Sequence, residues 1–512
     1  MPGTLQRAPN AEPIAPASRT AWLCAGGVML VFLALGIAQS LTQSPWMDEG
    51  MFADVAFNFR NFGHLGSSVL DPYGYQELPG VHQYTYWQFP LYFMGLGIWS
   101  RIVPATVVWV RLFSVAWGCV FLASWFVIVR SLSRKDSLAL LVASLIGLDY
   151  AVLVTASNGR MDMMCAALGF AGLASYFWFR DSNWSVGVFL AAFFGAASLL
   201  THPMGAVMNV AIAAMVLLDW RRIRWGGIVA ASLPYLIGIA CCLYYIDQAP
   251  DLFHAQSTAA SQYRVSGAGA IVRNIINDVT GRYLRYYFTA YSGVSKSKIA
   301  ALLFPVWGLA GLLIDRNLRS QPIAKRLLLL LVITYIGVAV VDNQKFGNYL
   351  VFSLPVVTAC AAVWLYARWQ EGGVRRMLAG CLVAVSVAAT LAGIGYKISR
   401  NEYRNLYDPA IAAARAALPP GGTLMGGSEL GFAVGFGPPL VDDRYLGFFS
   451  GKAPEVFVIN DHYGPMRSSP RLTSAWESSR ATLHDQYHLV FKNNIYSVYV
   501  RNDVPRFPQS GG

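Results

Sequence analysis

Asp48 and Glu49 stand side by side in Trp46-Met47-Asp48-Glu49-Gly50, directly after an apolar run over 21–40. Ionisable groups sit at similar borders further along. Arg160 and Asp162 occur in Ser157-Asn158-Gly159-Arg160-Met161-Asp162, His202 in Thr201-His202-Pro203, and Lys345 in Asp342-Asn343-Gln344-Lys345. Charges beside hydrocarbon are costly and usually face a pathway or a polar cavity. Each alone reads equally well as a solvated loop residue or helix cap; recurrence at four borders weakens that reading. The set suits group transfer from a lipid-linked phosphate. A carboxylate receives the proton of an acceptor hydroxyl, and cations stabilise the departing phosphate. Glycosyl transfer has an oxocarbenium-like transition state, so the proton can leave late and an ordinary carboxylate suffices. Neighbours on a helix point about 100° apart. One of the pair therefore addresses the reacting centre, and Asp48 is the expected base.

The elements that position these groups are membrane spans. The chain has 512 residues, 55% hydrophobic and 13% charged, with a mean hydropathy of +0.44, which excludes a soluble globular protein. Apolar runs of roughly 17–22 residues recur from 21 to 396, long enough to cross hydrocarbon. The net charge of +12 does not indicate nucleic acid, because Lys and Arg collect in short clusters between apolar runs, the positive-inside pattern. Cys24, Cys119, Cys165, Cys241, Cys242, Cys360 and Cys381 all lie in or beside apolar segments, so no disulfide framework or CxxC metal site is signalled. Residues 1–20 read as a disordered cytoplasmic leader with Arg7 and Arg19. The run after it is long for a signal-peptide core, which favours a retained anchor.

With Arg7 and Arg19 inside, the first span delivers Asp48 outside. The segment 91–103 is too short to cross; a crossing there would also put Arg130, Arg134 and Lys135 outside, so it reads as re-entrant or interfacial. Further spans are expected at 107–129, 138–156, 163–179, 185–200, 206–219, 226–246, 298–314, 327–341, 350–367 and 378–396. Every basic cluster between spans then falls on one side. The fold class is a polytopic α-helical membrane protein of about eleven spans, with a first outer loop at 43–106. Residues 21–399 form the membrane domain and 400–512 a small extracytoplasmic α/β domain. In the latter, Asp408-Pro409 opens a helix with Asp at the N-cap. Strands are expected at 423–425, 456–459, 489–492 and 496–501, with Asn493-Asn494 as a turn.

These residues also carry a resemblance. The chain resembles the C-type (GT-C) integral-membrane glycosyltransferases, in the branch of bacterial protein O-mannosyltransferase-like enzymes and the lipid A aminoarabinose transferase. The matching pieces are the acidic pair Asp48-Glu49, Phe89-Pro90-Leu91 after the first outer loop, Arg160-x-Asp162, and Lys345-Phe346-Gly347-Asn348-Tyr349 leading to Pro355. They span roughly residues 20–400. The resemblance implies Asp48 as base with Glu49 and Asp162 beside it, and Arg160, His202 and Lys345 toward the donor phosphate. Tyr349 falls in the last motif and is assigned to substrate. Many relatives have Lys where this chain has His202, and two prolines where it has Phe89-Pro90. A helix-ending His-Pro with no catalytic part is the rival reading of His202.

Two regions stay open. Arg282, Tyr283, Arg285, Tyr286, Tyr287 and Tyr291 read as an interfacial belt or as a groove for lipid or acceptor. In the first loop Tyr73, Tyr75, His82, Tyr84, Tyr86 and Trp87 could stack on a sugar or anchor the loop, and Tyr84 is the candidate substrate contact. His64, Asp71, Glu77 and His82 lack a metal-ligand spacing; no cofactor is specified, with a divalent cation left open. The expected function is transfer of a sugar from a polyprenyl-phosphate donor to a lipid, glycan or protein acceptor at the outer face of a bacterial inner membrane. It is expected to invert the anomeric centre and to engage membrane lipids. A transporter or flippase of lipid-linked sugars is the alternative.

Overall fold

The computed structural model describes residues 17–76, 78–264, 271–286, 295–461, 463–464 and 470–505. The leader over 1–16, Glu77, Tyr287 and Tyr291 lie outside the described residues, as do the side chains of Arg285 and Tyr286. Ten helices come first: α1 (Arg19–Thr42), α2 (Met47–Phe62), α3 (Pro90–Trp99), α4 (Val107–Ser133), α5 (Asp136–Gly147), α6 (Tyr150–Ala156), α7 (Met161–Phe179), α8 (Trp184–Thr201), α9 (Gly205–Leu218) and α10 (Trp225–Asp247). Later apolar helices cover Ser295–Ile314, Pro322–Val341, Leu354–Glu371 and Gly373–Arg400. Among the described residues seven helices are long and apolar enough to cross a membrane, or eight if the bent pair α5–α6 is one span. This is a multi-pass membrane protein. Other expected spans fall on shorter apolar helices such as α9, and α3 has only 10 residues.

Two expected spans are not straight rods. The segment 138–156 breaks between α5 and α6 with a bend of 66°. Asp149 restarts the helix there, its carboxylate accepting from the backbone N–H groups of Ala151 (2.8 Å) and Val152 (3.2 Å), which cannot find partners within a new first turn. The segment expected at 350–367 opens as a tight 3-10 turn, Gly347–Phe352, and becomes α-helical only at Leu354, with Pro355 in its first turn.

The C-terminal residues build a five-stranded sheet from β1 (Leu424–Gly426), β2 (Leu440–Val441), β3 (Val456–Asn460), β4 (Tyr487–Lys492) and β5 (Tyr496–Arg501). Its order is β2-β1-β3-β5-β4. β1 runs parallel to β2 and β3, and β5 antiparallel to β3 and β4. Two strand residues are too few for any alternation to show, so β2 has no counterpart among the expected strands. The helix Pro470–Gln486 is likewise an addition to the expected elements. Asp408 is not a true N-cap: a π-helical turn, Tyr403–Tyr407, leads into it, so the residue before it is already helical.

The sheet does not pack alone. Met425, Phe457 and Tyr463 share one apolar core with Met51 and Phe52 of α2 and Tyr92 and Phe93 of α3. Each large apolar side chain buried there contributes roughly 1.5–3 kcal/mol. The first long loop extends the sheet edge. Leu70 bridges Asp442 in parallel, the N–H of Asp71 donates to Asp442 O (2.9 Å), and that of Asp442 to Val69 O (2.7 Å). At Gly50 the α2 backbone touches the Ser428–Leu430 turn so closely that a Cβ would lie 2.2 Å from the carbonyl carbon of Ser428. The helix carrying Asp48 is thus clamped between the spans and the sheet.

Candidate active site

Glu49 joins four segments. Its Oε2 accepts from the Trp46 N–H (2.8 Å) and Arg111 Nη2 (2.7 Å). Its Oε1 accepts from Arg111 Nε and the Gly159 N–H, each at 2.8 Å. Arg111 in turn donates to the carbonyls of Ser40, Gln43 and Ser44. Both side chains are fully buried. Four donors saturate the carboxylate, and the ends of α1, α2, α4 and the turn before α7 are fixed relative to one another.

Asp48 has different surroundings. Its side chain retains 29% exposure and pairs with Arg160. Arg160 also donates from Nε to Asp162 Oδ2 at 2.8 Å. Asp162 is fully buried, and its Oδ1 finds no hydrogen-bond partner among the described residues. The guanidinium lies over the rings of Trp46 (4.9 Å) and Phe52 (5.5 Å), each an attraction of roughly 0.5–2 kcal/mol. Burial opposes the charge of Arg160, but Asp162 and Asp48 outweigh it and hold the group above its ordinary value. Of the three carboxylates gathered here, only Asp48 reaches solvent.

A second ionic group lies beside the first. Arg282 is buried and paired with Asp278 (3.1 Å) and Asp342 (2.8 Å). Lys345 Nζ binds Asp278 at 2.8 Å and approaches the carbonyls of Asn274, Ala339 and Asp342 at 3.2–3.3 Å. The Lys345 backbone is left-handed (φ 62°), which costs roughly 1–2 kcal/mol. Tyr349 links the two groups. Its ring lies under the Arg282 guanidinium at 5.9 Å, its hydroxyl is 3.3 Å from His202 Nε2, and the 3-10 turn that carries it packs against α7. His202 is buried at the end of α8, where its Nδ1 accepts from the Met204 N–H (3.1 Å). That contact specifies the neutral tautomer with the proton on Nε2, facing Tyr349.

Tyr84 lies apart from both groups in an aromatic stack with Tyr86 (5.7 Å) and Tyr245 (6.1 Å). Gln256 holds this loop, accepting from the N–H groups of Tyr86 and Trp87 and donating to the carbonyls of Pro79 and Tyr84. The stack connects to Arg160 through Trp87, whose ring lies on Phe52 (5.5 Å). Tyr75 is buried against Arg444, whereas Tyr73 is exposed. His64 packs on Tyr84, and Asp71 binds Lys452 (2.6 Å) and caps the turn at Tyr73 and Gly74. Among the described residues no three His, Cys, Asp or Glu side chains converge as metal ligands. The carboxylates of Asp48 and Asp162 share one guanidinium.

Arg111, Trp46, Phe52 and Asp278 belong to the site although the motifs do not single out their roles. Arg111 carries a signal in the sequence, being a lone charge in the apolar run 107–129. Trp46 and Phe52 carry none, because their role depends on where Arg160 lands.

The seam between α2 and the sheet holds further acids. Asp54 accepts from Ser67 Oγ and from the N–H groups of Ser68 and Val69. Burial pushes its carboxyl up to about 7. Glu429, bound by Asn460 Nδ2 (2.6 Å), is pushed by burial up to about 7 as well. An acid raised by folding binds a proton that the unfolded chain releases. Stability therefore falls as pH rises from the ordinary carboxylate range to about 7, and levels off above it. Hydrogen exchange should show α2 and β1 better protected near pH 5 than near pH 8, by on the order of a few kcal/mol. Asp54→Asn should remove the Asp54 share, about half of that difference, and leave the share of Glu429; an unchanged slope would contradict the assignment.

No family model and no curated protein matches the chain. Solved structures do. The chain is similar to ArnT from Cupriavidus metallidurans bound to undecaprenyl phosphate, with TM-score 0.59 and 14% identity over 96% of this chain and 100% of that one. It is also similar to the Archaeoglobus fulgidus oligosaccharyltransferase tethered with an acceptor peptide, with TM-score 0.52 and 12% identity over 95% of this chain and 75% of that one. The fold is that of the GT-C membrane glycosyltransferases. In this chain Asp48, Arg160 and Asp162 come together from α2 and the start of α7, Tyr349 joins His202 to Arg282, and Lys345 shares Asp278 with Arg282.

Proposed function

We propose that this protein transfers a sugar from a polyprenyl-phosphate carrier to a lipid, glycan or protein acceptor, at the outer face of a bacterial inner membrane. The Asp48–Arg160 pair carries this reading. An acceptor oxygen attacks the anomeric carbon while the bond from that carbon to the phosphate oxygen breaks. The acceptor proton passes to Asp48, and polyprenyl phosphate leaves with the bonding electrons. A single displacement of this kind inverts the anomeric centre.

Protonation of Asp48 removes one of the two carboxylates that hold Arg160. The guanidinium loses a partner just as charge grows on the leaving phosphate, an interaction stronger in the transition state than in the ground state. Glu49, saturated by Arg111, holds the frame. Lys345 and His202 are assigned to the phosphate side, with Tyr349 between them and the sugar; Tyr84 is assigned to the acceptor side of the first loop.

An apolar groove of about 450 Å³ supports a prenyl donor. Val279, Tyr283, Leu302, Leu309 and Val332 are among its walls, and Tyr283 adjoins Arg282 in the chain. This favours the groove over the interfacial belt for that segment.

Purified protein incubated with a panel of polyprenyl-phosphate sugars and an envelope extract should release polyprenyl phosphate and label an acceptor. In sealed vesicles the product should form without movement of the lipid across the bilayer. Lipid movement without a glycosylated product would instead establish the transporter reading.

A further inference from the structure

The opposite, basic ends of the spans enclose another cavity, of about 570 Å³. It lies where α4 ends, α5 begins, and the helices Arg316–Ser320, Pro322–Val341 and Leu354–Glu371 meet. Arg111 sits near one end of α4 and Leu132 near the other, roughly 30 Å apart along the helix, so this cavity is separate from the Asp48 group. Leu132, Leu138, Leu318, Ile323 and Val363 give it an apolar wall. Lys135, Gln321, Tyr366 and Gln370 give it a hydrogen-bonding rim. Tyr366 is set by a hydrogen bond with Ser137 Oγ (3.0 Å), and Lys135 Nζ lies 5.1 Å from its ring.

The carboxylates bordering this cavity are already engaged. Asp136 binds Arg130 (2.7 Å) and the Ser18 N–H (3.0 Å). Asp315 and Glu371 share Arg368, at 2.7 and 2.8 Å, and Glu371 also binds Arg375. Lys135, Arg316 and Lys325 on the same elements are exposed and have no carboxylate within ion-pair distance among the described residues.

We propose that this cavity seats an anionic phospholipid of the cytoplasmic leaflet. Its phosphate lies at Lys135 and Gln370, and the start of an acyl chain lies along the Leu318–Ile323 wall. A net-neutral head group would leave the summed charge of Lys135 in the rim and of Arg316 and Lys325 on the bordering elements uncompensated, and a soluble anion would leave the wall wet. Basic pockets between the cytoplasmic ends of spans have the chemistry to bind such head groups.

Native mass spectrometry of the purified full chain tests this, with cardiolipin, phosphatidylglycerol, phosphatidylethanolamine and undecaprenyl phosphate as separate probes. The anionic phospholipids should be retained and phosphatidylethanolamine should not. Lys135→Glu should weaken their retention at least about fivefold. Leu318→Trp, which fills the wall without altering charge, should expel them too. Arg224→Glu, on another basic loop, is the control and should change nothing, with thermal unfolding confirming that each variant is folded. Should Lys135→Glu not fold, Gln370→Glu carries the same charge test. Equal retention of phosphatidylethanolamine overturns the site. So does a preference for undecaprenyl phosphate that Lys135→Glu and Leu318→Trp abolish, or loss of phospholipid with Lys135→Glu but not with Leu318→Trp, which would mean surface attraction without a seated lipid.

Discussion

Asp48→Asn is expected to insert and fold normally and to lose transfer from a polyprenyl-phosphate sugar by about 10²–10⁴-fold, the usual worth of a general base. The amide keeps the shape of the side chain and can still accept from Arg160, but it cannot take the acceptor proton. The side chain is partly exposed, so stability should change by no more than about 1 kcal/mol. The substitution also leaves Arg160 permanently short of one anionic partner. Donor affinity should therefore hold or rise while turnover collapses, so kcat falls with no increase in KM. Retained turnover in a folded Asp48→Asn protein would remove Asp48 as the base. Loss of donor binding together with turnover would assign it to binding instead.

Arg111→Met is expected to have the largest effect on stability. It strands the Glu49 carboxylate in a fully buried position and frees the carbonyls of Ser40, Gln43 and Ser44. Removing one partner of a buried pair costs about 3–5 kcal/mol, because the remaining charge has no solvent to return to. Glu49→Gln/Arg111→Met should recover a large part of that loss, since no uncompensated charge then remains. Thermal unfolding in detergent with a tail-directed fluorescence probe would measure both. A single variant as stable as the parent would mean that Glu49 does not hold α1, α2 and α4 together. Activity lost by Arg111→Met should track the unfolded fraction, in contrast to Asp48→Asn.

The apolar runs make most helices legible, because a span must satisfy its backbone internally and must be apolar enough for hydrocarbon. Strands β1, β3, β4 and β5 are legible for a similar local reason, their alternation and the Asn493-Asn494 turn. The break at Asp149 is not, since a polar residue within an apolar run can be a cap or a tolerated charge, and only packing chooses. β2 is not, since its two residues pair only because the Leu70 loop and β1 bring partners to them. The acidic pair shows the division most sharply. Sequence places Asp48 and Glu49 together at the end of the first span and groups them with Arg160, Asp162, His202 and Lys345. It cannot say that Glu49 is sealed by Arg111, 62 positions away, while Asp48 keeps a solvent edge. Residue type and hydropathy are local properties, and they determined a membrane helical protein with charge at the span ends. Which carboxylate is saturated and which stays available depends on contacts between distant segments, and only the tertiary structure decided it.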